Sequence, residues 1–383
     1  MKKVLVLHFT HPEGYPPALN AINSIAEKVD HVKIITTDTL PTNWNYKSNV
    51  EYDFIDGEHD RFQFVKRSRI VKLKRYLAYI KRIRNNIKTE KPNIVLIYDN
   101  VPFLLYLIAL LFKSKKHKLW YHNHDIYPLE QYPKYSILWF GFMAIQKFFN
   151  KIDFFTIPSM ERVKMFPMKN FKGQFFFVPN YPSKRIIKTD QERLTNWDNQ
   201  SELRLIYPGS PSIKNGFEEL LNTMKQKINN KLITLTIVGE TNEKYQKELL
   251  HFAKSKGVEN QIFFEKRVPY VQMPQFLAKY HVGWAMYKPQ DMRTATVGTA
   301  SNKIYEFLAN GMPILVFDND HHRKYLSKLA AAFFTDLSTS SIIQQLECIE
   351  KNYSNLTISA HQSFEENYQF EQHFDIALNA VLS

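Results

Sequence analysis

Short runs of consecutive apolar residues alternate along this chain with longer stretches in which apolar positions recur every three or four residues. The first kind of run suits a strand buried on both faces, and the second suits an amphipathic helix. In the first half the runs predict strands at Lys3 to Phe9, Val32 to Thr36, Ile94 to Tyr98, Lys118 to His122, Phe154 to Ile157 and Phe175 to Val178. Helices are expected between them at Pro17 to Val29, Val65 to Lys88, Val101 to Phe112 and Ser136 to Asn150. Pro179-Asn-Tyr-Pro182 and the polar stretch to Ser201 then read as a linker. A second series predicts strands at Leu203 to Tyr207, Leu235 to Val238, Ile262 to Phe264, Val282 to Met286, Ile314 to Phe317 and Ala332 to Thr335, with a closing helix at Phe364 to Leu382. Such alternation predicts an α/β class, with parallel sheets covered by helices.

Four stretches carry candidate chemistry. Thr299-Ala-Ser-Asn-Lys-Ile-Tyr-Glu-Phe-Leu-Ala-Asn-Gly-Met-Pro-Ile-Leu315 reads as a polar loop, a short helix, a glycine stop and a buried strand. Ser301 suits an N-cap, so Asn302, Lys303 and Glu306 fall in the first turns, where free backbone N–H groups and the helix dipole attract an anion. Lys303 can pair with a phosphate and Glu306 can hold a ribose diol. Leu205-Ile-Tyr-Pro-Gly-Ser-Pro-Ser-Ile-Lys-Asn-Gly-Phe217 ends a strand in a glycine-bearing loop; its backbone at Gly209 and Ser210 can approach a pyrophosphate, and Lys214 adds charge.

Trp120-Tyr-His-Asn-His-Asp-Ile-Tyr-Pro-Leu129 leaves a strand at its carboxyl end, where open α/β sheets place ligands. His8-Phe-Thr-His-Pro-Glu-Gly-Tyr-Pro-Pro17 follows the first strand. There Gly14 permits close backbone approach, and His11 and Glu13 offer acid and base groups. Asp318-Asn-Asp320 has the spacing of a metal site but lacks supporting carboxylates, and reads as a helix-capping turn.

The residues Ser301 to Ile314 resemble the nucleotide-sugar-binding signature of bacterial glycosyltransferases of family four. The resemblance implies the GT-B fold: two Rossmann-like domains facing across a cleft. It implies residues 1–181 as an acceptor domain, joined by the C-terminal helix 364–383, and residues 182–363 as a donor domain. It also implies a nucleotide-diphosphate sugar as donor substrate, no bound cofactor, no required metal, and retaining stereochemistry. Glu306 matches the ribose-binding glutamate. Eight positions earlier, where the family commonly has a second glutamate, stands Gly298, which leaves Thr296, Gly298 and Thr299 to meet the sugar. The loop at Gly209 is similar to one in which an arginine and a lysine grip the diphosphate. Ser210 stands where arginine is usual, shifting the weight to Lys214 and Lys303. His124 matches the histidine that touches the donor sugar, with Asp125 as its orienting neighbour; together with Glu306 these form the implied catalytic set. The glycine loop containing His11, Glu13 and Gly14 corresponds to the acceptor loop.

Composition narrows the setting. At 383 residues with 44% hydrophobic residues, two domains of ordinary size are expected. The single cysteine, Cys348, excludes an intramolecular disulfide and fits a reducing, cytoplasmic compartment. The opening residues read as a buried strand rather than a signal peptide, and the longest apolar run, Val101 to Phe112, is short of the roughly 20 residues a spanning helix needs.

The net charge of +14 is uneven: residues 1–181 carry 28 Lys+Arg against 15 Asp+Glu, the remainder 23 against 22. Residues 61–91 hold 12 Lys+Arg and one acid, Glu90, on a predicted helix with Ile70, Leu73, Leu77, Ile80 and Ile87 on one face. That pattern suits either a core-facing helix with a basic outer face or an interfacial helix on anionic lipid. The aromatic run from Tyr135 to Phe142 suits a core or a membrane surface.

The expected activity is therefore transfer of a sugar from a nucleotide-diphosphate donor to a saccharide or lipid-linked acceptor in bacterial surface polysaccharide synthesis. Peripheral contact with the inner face of the plasma membrane is expected through residues 61–91. A nucleotide-sugar 2-epimerase of the same fold is the alternative enzyme. A non-catalytic protein binding nucleic acid or anionic membrane is the alternative class, although recognisable nucleic-acid modules are missing and no nucleic acid is expected as partner.

Overall fold

The computed structural model describes residues 2–37, 44–55, 67–111, 115–187, 201–240 and 242–383. They divide into two compact units, Met1–Pro179 with Phe370–Ser383, and Asn180–Gln369. Each has its own hydrophobic core.

The first unit runs β1 (Lys3–Leu7), α1 (Pro16–Lys28), β2 (His31–Thr36), β3 (Val50–Phe54), α2 (Arg69–Glu90), β4 (Ile94–Tyr98), α3 (Asn100–Ala109), β5 (Lys118–His122), α4 (Ile137–Phe148), β6 (Phe154–Ile157) and β7 (Gln174–Phe177). Its seven strands are all parallel in the order β3-β2-β1-β4-β5-β6-β7. The chain steps outward from β1 to β3 and returns to the other side of β1 as β4. This reversal leaves a crevice at the carboxyl ends of β1 and β4. The central strands β1 and β4 are buried on both faces, which is why they read as unbroken apolar runs. Beyond the six expected strands, β3 (sequence VEYDF) forms the sheet edge; its alternating, half-buried pattern lacks an apolar run.

Ser68 caps α2 by accepting from the amide of Val71, and Lys91, in left-handed backbone at φ 48°, ends it. The expected helix start at Val65, like residues 61–66 of the basic segment, lies outside the described residues. The apolar face expected on α2 divides in two. Ile80 and Ile87 turn to the core, beside Tyr79 and Ile83, whereas Ile70, Leu73 and Leu77 face outward.

The second unit carries β8 (Glu202–Pro208), α5 (Phe217–Thr223), β9 (Lys227–Ile228), β10 (Lys231–Val238), α6 (Glu243–Lys256), β11 (Ile262–Glu265), β12 (Val282–Ala285), α7 (Asn302–Ala309), β13 (Ile314–Phe317), α8 (Asp320–Leu326), β14 (Ala332–Thr335), α9 (Thr339–Lys351) and α10 (Tyr353–Asn367). The parallel order is β11-β10-β8-β12-β13-β14, with the two-residue β9 antiparallel to β10. The architecture is thus α/β with two parallel-sheet, Rossmann-like units, as the alternation predicts.

The single closing helix expected at Phe364 to Leu382 is two helices. The chain breaks at Tyr368-Gln369, where Tyr368 packs on Tyr181 and Tyr305 of the second unit, and α11 (Phe370–Leu382) then joins the first unit. There Phe374 stacks on Trp120 of β5 at 5.4 Å, and Lys28 of α1 meets Asp375 at 3.2 Å.

Candidate active site

In the second unit, β8 delivers the chain to Gly209, whose φ of +130° disfavours any side chain. A Cβ there would come within 2.8 Å of the Cε and Nζ of Lys303, so the missing side chain makes room for that lysine. Lys303 Nζ lies 3.8 Å from the centre of the Tyr207 ring and 5.4 Å from that of Tyr287, a cation–π setting. Burial lowers its pKa to about 7, the charge of Glu306 pulling the other way and that of Arg293 adding to the fall. One helical turn on, Glu306 is buried, and burial raises its carboxyl to about 7 against the charge of Lys303. The attraction between the two is Coulombic, without a hydrogen bond.

Both residues stand at the start of α7, but Ser301 does not cap that helix as expected. Its hydroxyl meets the Tyr287 hydroxyl at 3.1 Å and takes no backbone amide. The first amides of α7 therefore lack a side-chain cap next to a half-buried lysine, which is the setting of an anion site. Asn302 adds a buried side-chain oxygen with no hydrogen-bond partner among the described residues. Gly311, at φ +63°, closes the helix by donating to Leu308, in the manner expected.

The remaining donor-side candidates are arranged less simply. Lys214 Nζ is held 2.5 Å from Asp291 Oδ2. Burial would raise the Asp291 carboxyl, but the Lys214 and Thr294 hydrogen bonds outweigh it and hold the pKa at about 2. Asp291 also caps the short helix Met292–Ala295, which carries Arg293, so Lys214 and Arg293 are tied to one turn. The backbone N–H of Gly298, expected to face a sugar, is instead donated to His321 Nε2 at 3.0 Å. Thr299 is buried, and its carbonyl accepts from the amide of Asn180. The backbone of Ser210 accepts from the Tyr207 hydroxyl at 3.3 Å. Asp318 of the acidic turn is paired with Arg323, while Asn319 caps α8. Among the described residues no group of three or more His, Cys, Asp or Glu side chains is disposed to hold a metal ion.

In the first unit, β1, β4 and β5 are neighbours, with Tyr98 registered against His122. The residues after these strands therefore converge. His124 stacks on Tyr98 at 4.9 Å and lies 4.8 Å from His122, 5.4 Å from Tyr15 and 5.9 Å from His8, ring centre to ring centre. His8 Nδ1 sits 2.5 Å from the Thr10 carbonyl, which can only accept, so the proton is on Nδ1 and Nε2 is left as an acceptor. Burial lowers the pKa of His8 to about 3 and that of His122 well below its usual value, so both stay neutral. The Nε2 atoms of His8, His122 and His124 have no hydrogen-bond partner among the described residues.

His124 is oriented by a residue that sequence reasoning missed. Asp99 Oδ1 accepts from the His124 amide at 2.8 Å and from Asn123 Nδ2 at 3.2 Å, and its Oδ2 lies 3.4 Å from His124 Nδ1. Burial alone would raise the Asp99 carboxyl, but the charge and hydrogen bonds of His124 bring it below its usual range. Asp125, expected in that orienting role, faces away to Arg162, whose Nη1 is 3.0 Å from both the Asp125 carboxylate and the His124 carbonyl. Asp99 immediately follows a buried strand at the level of the histidines, a signal that needs the β4–β5 register to be seen.

In the loop after β1, His11 is buried and accepts at its carbonyl from Gly14 at 3.4 Å. Glu13 accepts from the Tyr52 hydroxyl, and burial raises its pKa to about 7. His11 acts electrostatically on His8, so the loop adjoins the histidine cluster.

No protein-family model matches the sequence, and no curated protein matches it. Solved structures do. Sucrose-phosphate synthase from Thermosynechococcus elongatus superposes with a TM-score of 0.72 at 9% identity, covering 99% of this chain and 97% of that one. HepE from Anabaena, in complex with UDP and glucose, gives 0.69 at 15% identity with full coverage of both chains. WaaG, a glycosyltransferase of lipopolysaccharide biosynthesis, gives 0.67 at 12% identity over 99% of each.

The fold is GT-B. At these identities the likeness speaks for the fold. What this GT-B chain adds is a pair of half-buried Lys303 and buried Glu306 on an uncapped helix in one unit, and an imidazole cluster ordered by Asp99 in the other.

Proposed function

We propose that this protein is a metal-independent, retaining glycosyltransferase that moves a sugar from a nucleotide-diphosphate donor to a saccharide or lipid-linked acceptor, in the cytoplasm, for bacterial surface polysaccharide. The observation that carries this is a pair of ionisable side chains, half-buried Lys303 beside Gly209 at the uncapped start of α7 and buried Glu306 one turn on. Withdrawing two charges from water without a hydrogen bond between them is costly, and a ligand presenting both a diphosphate and a ribose diol would satisfy both. UDP is bound by HepE, which shares the fold.

In this scheme the second unit holds the donor. Lys303 and the first amides of α7 take the diphosphate, Glu306 the ribose, and Gly209 lets the backbone approach. Lys214 and Arg293 supply further positive charge near the diphosphate. The first unit supplies the acceptor loop at His11, Glu13 and Gly14, and His124 serves as hydrogen-bonding partner of the transferred sugar. The anomeric carbon–oxygen bond to the diphosphate breaks while the acceptor hydroxyl forms the new bond on the same face. A phosphate oxygen of the leaving group receives the hydroxyl proton, so no protein nucleophile is consumed. The charge growing on the diphosphate is met by fixed cations and amide dipoles. Residues 61–91 would hold the protein to an anionic membrane.

The test is substitution. Lys303→Ala and Glu306→Ala proteins with unchanged circular dichroism should lose transfer and donor binding by at least about a hundredfold, the range for removing a preorganised charge contact. Full activity in both would refute the assignment. NMR of a nucleotide sugar incubated without acceptor separates transfer from 2-epimerisation, since only an epimerase inverts the free donor.

A further inference from the structure

The outward face of the helical layer formed by α2, α3 and α4 has a composition that a water-facing layer does not need. α3 packs between the other two helices, and Arg84 of α2 donates to the carbonyls of Ala109 and Ile108 at its end. On α2, Ile70, Leu73 and Leu77 lie on one face and are 57–68% exposed. On α3, Leu104, Leu107 and Ile108 are half-buried and the helix carries no charged residue. On α4, Phe140 and Met143 are a turn apart and exposed. Tyr135, just before α4, holds left-handed backbone at φ 61° and leaves its ring 78% exposed. Exposed apolar side chains that continue across neighbouring helices mark an interaction surface.

The charges say what covers it. Across the three helices there are nine Lys or Arg, eight on α2 and one on α4, against the single acid Glu90; Arg75 of these is buried and Arg82 pairs with Asp53. On α2 the outward face changes from Ile70, Leu73 and Leu77 to Lys81 and Lys88; on α4 it changes from Phe140 and Met143 to Lys147. Each helix follows a parallel strand, so the three helices run the same way and their N-terminal ends share the sheet edge that holds His8, Asp99 and His124. On α2 and α4 the apolar portions are therefore at that edge and the cations follow behind them, while uncharged α3 lies between. A second copy of the chain docking symmetrically on this face would set the same cations against one another. Duplex nucleic acid would meet the cations but has no use for a field of aliphatic side chains.

We infer that the outer face of α2, α3 and α4 docks on an anionic lipid bilayer, the apolar N-terminal ends of α2 and α4 entering the acyl boundary and their lysines resting on phosphate headgroups. This deepens the assignment above by placing membrane contact on three helices rather than on the basic segment alone, and it puts the acceptor loop's edge of the sheet toward lipid.

The experiment is co-sedimentation of the full chain with vesicles of phosphatidylcholine alone, or mixed with about one third phosphatidylglycerol, at ionic strength about 0.1 M, where screening is moderate. Wild-type protein should pellet with the anionic vesicles and not with the neutral ones, and higher salt should weaken binding without abolishing it. Leu73→Glu/Leu77→Glu and, separately, Phe140→Glu/Met143→Glu should each weaken binding at least about tenfold, with UDP affinity unchanged. Absence of binding overturns the inference. So does binding that both double variants retain, which would leave headgroup charge as the sole contact. A wild-type dimer dissociated by Leu73→Glu/Leu77→Glu, or DNA binding stronger than vesicle binding, also overturns it. Loss of donor affinity from Lys303→Ala with vesicle binding intact leaves this surface standing on its own, as does vesicle binding by a protein that transfers no sugar.

Discussion

Lys303 and Glu306 are pushed toward neutrality from opposite sides, each to about 7, and burial is the leading cause for both. In the free protein this sets a linkage. Lys303 is depressed below its unfolded value, so it contributes stability as pH rises from about 7 toward 10.5; Glu306 is raised, so its contribution is present below 4.5 and lost as pH rises to about 7. A bound diphosphate raises Lys303 again, and binding above pH 7 must then take up a proton. UDP affinity should therefore fall as pH rises from 7 to 9, by up to about tenfold per unit, and should weaken below about 6, where the terminal phosphate gains a proton. Calorimetry in buffers of different ionisation enthalpy checks this. Net proton uptake near pH 8 should appear in the wild type and vanish in Lys303→Met. Pocket chemistry that left Lys303 charged throughout would give no uptake and a flat alkaline limb.

Asp99 presents a second residue-scale case. Its backbone, φ 66° and ψ 175°, lies in a region that few residues other than glycine occupy, at a cost of about 1–3 kcal/mol. Its carboxylate meanwhile holds the His124 amide and ring. Asp99→Gly removes both the strain and the carboxylate, so the urea midpoint should move little while transfer drops at least about tenfold. Asp99→Asn keeps the shape and loses the charge. It should still lower kcat/KM, because the Asn amide oxygen can accept from the His124 amide but no carboxylate stands beside Nδ1. Full activity in the Asn variant would show that Asp99 only props the loop.

Among the elements, β12 and α7 approach closely enough to make one position critical. A Cβ on Gly283 would come within 2.2 Å of the Phe307 ring, and Phe307 is fully buried on the helix that carries Lys303. Gly283→Ala must push α7 away or distort the strand, at a cost of about 1–3 kcal/mol. For a unit of this size that is roughly 2–4 °C per kcal/mol in melting temperature. The displaced helix should also weaken UDP binding, which a scan with and without UDP reads in one experiment.

The same elements show what is legible from residues alone. Buried parallel strands such as Ile94–Tyr98 and Ile314–Phe317 announce themselves because both faces demand apolar residues. Edge strand Val50–Phe54 does not, since half its side chains face water. The motif from Ser301 to Gly311 yields a short helix with a glycine stop, but the Ser301 cap fails because Tyr287, fourteen residues earlier, takes its hydroxyl. His124 could be singled out from its place after a strand. Its partner Asp99 could not, because that depends on β4 and β5 lying side by side in a particular register. The helix face of α2 misleads for a related reason: periodicity shows that Ile70, Leu77 and Ile80 repeat, but not which of them point at the sheet.

At the scale of the whole molecule, the first unit is discontinuous: its last helix, α11, arrives after the entire second unit has been built. Phe370, Phe374, Leu378 and Val381 of α11 are all buried, and Phe374 covers Trp120 of strand β5. Each such side chain contributes about 1.5–3 kcal/mol, so the helix supplies about 6–12 kcal/mol, comparable with the whole stability of a domain. A chain ending at Gln369 should therefore lose the native fold of its first unit, seen as rapid proteolysis within residues 2–179 and a changed near-ultraviolet spectrum around Trp120. The second unit keeps its own core and every donor-side residue named here. It should still bind UDP and melt higher in its presence, by about 2.7 kcal/mol at a hundredfold excess over Kd. Transfer should be abolished in the same protein, since His124 and the acceptor loop belong to the unit that has unfolded. A truncated chain that no longer bound UDP would mean that the donor site draws on the first unit, and Lys303, Glu306 and the start of α7 would not suffice for nucleotide recognition.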